Sequence, residues 1–166
     1  MSPTLEGTAR AKKAWDTIRK KKSEAIAKDK ETASEILETA EAKEATLSLE
    51  RDLQIALRAN IEQLETGLTI SDGGKEKIGP SGRTDILAID ARKQTVVIEL
   101  KVGTAEHEVI SQILSYMGDL QEETGKPVRG IVIAHDFTAR AVAASKPVSS
   151  IIELRKYGFN FSFKKV

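Results

Sequence analysis

Asp85, Glu99 and Lys101 stand inside otherwise apolar stretches, TDILAI and VVIELKV, of a 166-residue chain. Side chains alternate along a strand, so Val97, Glu99 and Lys101 share one face and Ile98, Leu100 and Val102 the other. Glu99 and Lys101 are then about 7 Å apart along the strand. A short hairpin closing near residues 90–93 sets position 85 across from about position 99. Two carboxylates and one ammonium converge on one spot. Carboxylates at short range repel, and a hard divalent cation such as Mg²⁺ or Mn²⁺ relieves the repulsion. The carbonyl of Leu100 can add a ligand. A lysine beside such an ion can hold or deprotonate a water, or stabilise a phosphorane-like charge. These are the parts of phosphodiester hydrolysis. The spacing alone leaves a second reading open, a salt bridge between Lys101 and an acid on a wet sheet face.

The elements that must carry these residues follow from periodicity. Leu49, Leu53, Ala56, Leu57, Asn60, Ile61 and Leu64 form a helical face, which Gly67 can stop. Strand material follows at 68–71, then a turn-rich loop, SDGGKEKIGPSG. Strands are expected at about 83–90 and 94–102. Thr104 reads as the N-cap of a helix to about Glu123, with Ile110, Ile113, Leu114 and Met117 as its buried stripe. IVIAH reads as a strand buried on both faces. A short helix at 138–146 and strands near 149–156 and 159–165 close the chain. This order predicts an α/β domain on a mixed central sheet.

Residues 8–47 are rich in Ala, Lys and Glu, with an apolar stripe too thin for a core. The expected division is a charged helical or disordered arm over 1–48 and a compact domain over 49–166. Net charge is +1 overall. The total hides nine Lys and Arg against four acids in residues 1–30, then one Lys against six Glu in 31–50. Lys12, Lys13, Arg19, Lys20, Lys21 and Lys22, with Trp15 among them, could track phosphates. The absence of Cys excludes disulfides, thiolate metal sites and Cys nucleophiles. No apolar run approaches a membrane span, so a cytoplasmic protein with no membrane partner is expected.

GRTDILAID, TVVIELKVG and AEHEVISQILSYMGDL, in that order, resemble the PD-(D/E)XK nuclease core. More narrowly they are similar to the C-terminal nuclease domain of the NucS/EndoMS mismatch endonucleases. The resemblance runs from about Leu49 to Val166 and takes in LERDLQIALRANIEQLETGL and the closing FNFSF. It implies a restriction-endonuclease-like fold and a Mg²⁺- (or Mn²⁺-) dependent DNA endonuclease acting on mismatched or branched DNA, as a homodimer or in a larger DNA-processing assembly. It assigns Asp85, Glu99 and Lys101 as the triad of metal binding and catalysis, with Leu100 as a backbone ligand. Glu50 matches an acid on the first core helix that can hold a metal-bound water. Gln112 matches the Gln that orients the Lys or a DNA phosphate. Tyr116 shares its helical flank and can meet DNA, and Arg83 shares the face of Asp85, where it can meet a backbone phosphate or simply pair with an acid. His107 and His135 lack a second His at ligand spacing. In place of the family's β-rich N-terminal domain the sequence carries the charged arm. The competing class is a non-catalytic nucleic-acid-binding or assembly module of the same fold, which usually lacks a member of the triad.

Overall fold

The computed structural model describes residues 16, 17, 19–21, 24, 28, 39, 42–159 and 163–165. The chain divides into two units, Met1–Ala45 and Thr46–Val166. The described residues of the first unit are helical and exposed, among them Arg19, Lys20 and Lys21. Lys12, Lys13, Trp15 and Lys22 lie outside the described residues.

The second unit opens with a helix, α1, over 46–59. Leu53 and Leu57 on α1, with Ile61 and Leu64 just beyond it, pack against the sheet. The helix ends before Asn60, earlier than Gly67, and the Asn60 side chain donates to the Ala56 carbonyl at its C-terminal end. A 3₁₀ turn at Ile61–Gln63 follows. Strands β1 (Thr69–Ile70), β4 (Ile86–Ile89), β5 (Thr95–Ala105), β6 (Val128–Phe137) and β7 (Ile152–Lys156) form one sheet in the order β1-β4-β5-β6-β7. The first two pairings are antiparallel and the last two parallel, so the sheet is mixed as expected. Strands β2 (Lys77–Gly79) and β3 (Gly82–Thr84) form a separate hairpin. Helices α2 (Glu108–Thr124) and α3 (Ala139–Ser145) complete the unit.

The sheet is apolar on both faces because helices cover both. Ile86, Ala88, Val96, Ile98, Leu100, Ile131 and Ile133 form the core on the α1 side. Leu87, Val97, Val132 and Ala134 form the other with Val109, Ile113, Met117 and Leu120 of α2. Ile131 to Ala134 are all buried, the pattern of a central parallel strand.

Four elements differ from the sequence reading. The loop at 71–82 contains β2, which Lys77–Glu123 (2.6 Å) and Asp119–Ser81 hydrogen bonds (2.7 and 2.9 Å) tie to α2. The strand expected over 83–90 is broken at Asp85 into β3 and β4. Thr104 is not an N-cap. Beyond an irregularity between Lys101 and Thr104, β5 resumes its pairing, Thr104 with Asp136 and Ala105 with Phe137, and these ladder partners delay α2 until Glu108. Of the last expected strand, residues 159 and 163–165 are not strand and 160–162 lie outside the described residues.

Candidate active site

The hairpin register pairs Ile86 with Ile98, which sets Asp85 opposite Glu99. Glu99 is 1% exposed, in the middle of β5. Its Oε1 accepts from Lys101 Nζ at 2.9 Å and from Gln112 Nε2 at 2.7 Å. Its Oε2 is buried without a hydrogen-bond partner. Asp85 Oδ2 accepts from the Leu100 backbone N–H at 2.8 Å. The structure therefore gathers Asp85, Glu99, Leu100, Lys101 and Gln112.

Gln112 comes from the buried flank of α2, where Val109 and Tyr116 lie beside it at helical spacing. Gln112 Nε2 also donates to the Tyr116 hydroxyl at 2.9 Å. Tyr116 is 8% exposed, and its hydroxyl would lie 3.1 Å from a Cβ placed on Gly82. Gly82 has φ +133°, so at this position the β2–β3 turn both needs glycine's backbone freedom and rests on the tyrosine. The tyrosine thus sits under the hairpin, behind Gln112, and its ring is not a free surface.

Electrostatics set this cluster apart. Burial, and then the charge of Asp85, push the Glu99 carboxyl up to about 7, although Lys101 acts in the opposite sense. Burial also raises the Asp85 carboxyl, against the Leu100 N–H and the Lys101 charge; Glu50 adds a smaller upward push. Burial alone would lower the Lys101 ammonium, but Glu99 outweighs it and holds it above the usual lysine value. One ammonium serves a buried and a half-buried carboxylate, and the buried Glu99 Oε2 is left without a donor.

A cleft of about 560 Å³ opens here, lined by Glu50, Gln54, Arg58, Glu76, Asp85 and Leu100 among others. Glu50 thus reaches the site from α1. Arg83 also lines the cleft, but its guanidinium pairs with Glu76 at 3.0 Å. His107, at the N-terminus of α2, is 3.2 Å from Glu108, while His135 is exposed and stacks edge-on with Tyr157. A group of Glu106, His107 and Glu108 at the start of α2 is mostly exposed.

Residues 49–155 match the family model of the endonuclease NucS C-terminal domain. The chain belongs to that family.

Among curated relatives, endonuclease NucS of Pyrococcus furiosus is 39% identical over 67 residues, 40% of this chain and 25% of its own length. Endonuclease NucS of Methanopyrus kandleri is 31% identical over 106 residues, 62% of this chain and 40% of its own. The chain thus spans between a quarter and two fifths of these relatives. Among solved structures, an EndoMS–dsDNA complex superposes with a TM-score of 0.56 at 31% identity, covering 69% of this chain and 44% of that one. A repair endonuclease from Pyrococcus abyssi does so with a TM-score of 0.56 at 29% identity, covering 69% and 46%. The mixed sheet flanked by helices is the fold these structures share.

Within this NucS-family domain, sequence reasoning missed the residues behind Asp85. Gln54 Nε2 and Arg58 donate to the Asp85 backbone carbonyl at 2.6 and 2.7 Å. Arg58 also makes a bidentate pair with Asp72, at 2.6 and 2.8 Å. A signal was present. Glu50, Gln54 and Arg58 stand at i, i+4 and i+8, a polar stripe beside the apolar stripe of Leu53 and Leu57.

No helix among the described residues is long and apolar enough to cross a membrane.

Proposed function

We propose that this chain is a divalent-metal-dependent DNA endonuclease that hydrolyses phosphodiester bonds, with mismatched or branched duplexes as its substrate class. The observation that carries this is the unpartnered, buried Glu99 Oε2 beside a second carboxylate held at raised pKa. A buried oxygen left without a donor costs free energy. A hard cation removes that cost and the mutual repulsion together.

The residues present fit such an ion. Asp85, Glu99 and the Leu100 carbonyl would hold Mg²⁺ or Mn²⁺, all being hard oxygen donors, with Asp85 and Leu100 on the cleft wall. The ion would supply positive charge at the scissile phosphate. The protein's own groups do the rest. Lys101, one-third exposed and hydrogen bonded to Glu99, has donors to spare for a water or a phosphate oxygen. Gln112 fixes the Glu99 carboxylate, because Tyr116 and Glu99 together hold its amide. Glu50, from α1, extends the acidic wall and can orient a water. The basic residues of 1–30 add sequence-independent attraction for the phosphate backbone.

The test is cleavage of supercoiled plasmid and of mismatched and branched duplexes. Mg²⁺ or Mn²⁺ is expected to support cutting, Ca²⁺ to bind with little turnover, and EDTA to abolish it. Cutting in EDTA would remove the metal mechanism. Duplex binding with no cutting under any of these ions would instead identify a non-catalytic binding module.

A further inference from the structure

The backbone at Asp85 departs from the strand that its neighbours belong to. β3 ends at Thr84, β4 begins at Ile86, and the residue between them is a bend. Its carbonyl does not join the ladder to β5. It accepts from Gln54 Nε2 at 2.6 Å and from Arg58 at 2.7 Å, both on α1. Arg58 is itself immobilised by two hydrogen bonds to Asp72. Asp72 is anchored in turn: Oδ2 accepts from Leu87 N at 2.8 Å and Oδ1 from Gly74 N at 2.9 Å. Both partners are largely shielded, with side chains 13% and 2% exposed.

This is far more hydrogen bonding than one bend needs. A planar guanidinium holds a carboxylate in a two-nitrogen fork and still reaches a third oxygen, a fixed geometry that a single-nitrogen ammonium lacks. On Asp72, burial would raise the carboxyl, but Arg58 and the two backbone N–H groups prevail and keep it ionised below the ordinary value. The far side of the same residue carries the Asp85 carboxylate, aimed at Leu100 N–H and across the register from Glu99.

We infer that Gln54, Arg58 and Asp72 are positioning residues for the metal site: they clamp the Asp85 main chain so that its carboxylate stays beside Glu99. None of the three donates a ligand. They act through the Asp85 carbonyl, as hydrogen-bonding partners outside a metal's own ligands commonly do. The placement of Asp85 is what they set, and the inference rests on the proposed metal site only for its affinity readout.

Two variants test it in the full-length protein. Arg58→Lys keeps the charge but loses the planar two-nitrogen fork that pairs Asp72 bidentately while it reaches the Asp85 carbonyl. Gln54→Met removes one donor at similar volume and leaves the ion pair intact. The first readout is amide hydrogen exchange at Leu100 in metal-free protein, with Ile98, paired to Ile86, as internal control. Exchange at Leu100 is expected to accelerate in both variants while Ile98 stays protected, because Asp85 Oδ2 no longer covers that N–H. The second readout is Ca²⁺ affinity by calorimetry, expected to weaken roughly 10- to 100-fold for Arg58→Lys and less for Gln54→Met. If Arg58→Lys does not fold, Gln54→Met decides alone on both readouts. Unchanged Leu100 exchange and unchanged Ca²⁺ affinity in a folded variant would overturn the clamp, even if the melting temperature drops. A wild-type protein that binds no Ca²⁺ would count against the proposed function instead, and the Leu100 exchange would still judge the clamp.

Discussion

The two ends of the β4–β5 hairpin carry the same inventory, two acids and one cation, and resolve it oppositely. At the closed end are Asp90, Glu65 and Arg129. Asp90 Oδ1 accepts from the N–H groups of Arg92 and Gln94, both at 2.9 Å, and Oδ2 accepts from Arg129 Nε at 3.0 Å. The other end of the guanidinium donates to Glu65 at 2.6 Å. Burial alone would raise Asp90, but the Gln94 N–H and Arg129 outweigh it and hold its carboxyl below the ordinary range. At the open end, Lys101 serves Glu99, Asp85 has one backbone donor, and Glu99 Oε2 has none. There both carboxyls are pushed up. A purely structural cluster in this hairpin settles its charges internally. The other leaves negative charge unsettled, with Asp85 on the wall of a cleft, and that deficit is what an external cation or a phosphate-bound metal would meet.

The largest expected contrast is between losing function and losing fold. Asp85→Ala, Glu99→Ala and Lys101→Ala should each reduce cleavage by at least about 10³-fold, the upper scale for a group that stabilises the transition state. Calorimetry with Ca²⁺ should separate them, since the two acid variants lose binding and Lys101→Ala keeps it. Thermal melting should show Glu99→Ala and Asp85→Ala as stable as the parent or more so, because a crowded buried charge is gone. Arg129→Ala should do the reverse. It strands Asp90 without its counter-charge and should cost about 3 kcal/mol in urea unfolding, while the folded fraction still cuts. If Arg129→Ala melts like the parent and Glu99→Ala collapses, the two ends have been assigned the wrong way round.

A smaller effect sharpens the assignment of Gln112. Its amide links Glu99 to Tyr116, so Gln112→Ala removes a support and leaves every proposed ligand in place. Metal affinity or cleavage should fall by roughly 10- to 100-fold, short of the triad variants. Titration of Mn²⁺ into a plasmid-nicking assay reads it, and excess Mn²⁺ should recover most of the rate. Loss as deep as that of Lys101→Ala, with no recovery, would make Gln112 a participant and not a support.

What was legible in the sequence depended on the range of the interaction. Alternation in VVIELKV and the short turn located Asp85 across from Glu99, because strand period and hairpin register are local rules. Helix α2 and the doubly buried β6 were legible for the same reason. The break at Asp85 was not, because it is made by Gln54, Arg58 and Asp72 from 13 to 31 residues away. Thr104 had the right residue type for a cap, but the pairing of β5 with β6, distant in sequence, took precedence. Tyr116 shared a flank with Gln112, yet its contact with the β2–β3 turn depends on a hairpin that read as loop.

The smallest effect is also the most direct test of the unsettled charge. The folded state holds Glu99 at about 7 against an ordinary 4.5, so between those values it binds more protons than the unfolded chain. Stability of metal-free protein must then fall as pH rises from about 4.5 to about 7, and Asp85, also raised, acts in the same direction. Asp72 and Asp90 work the other way. Their carboxyls lie below the ordinary 3.8, so their contribution is present above that pH and is lost only as acid carries the solution through their folded values. Metal-free protein should therefore melt highest between these two regimes, near pH 4 to 5, and melt lower by about pH 7. Saturating Ca²⁺ should abolish the decline, because the cation takes the place of the proton, and its affinity should rise through the same window. Glu99→Gln should flatten the curve without metal, and Arg129→Ala should lower it throughout while keeping its slope. Scanning calorimetry across the pH series with EDTA measures this, and a metal-free melting temperature that stays level or climbs from pH 5 to 7 would mean the open end of the hairpin carries no unsettled charge.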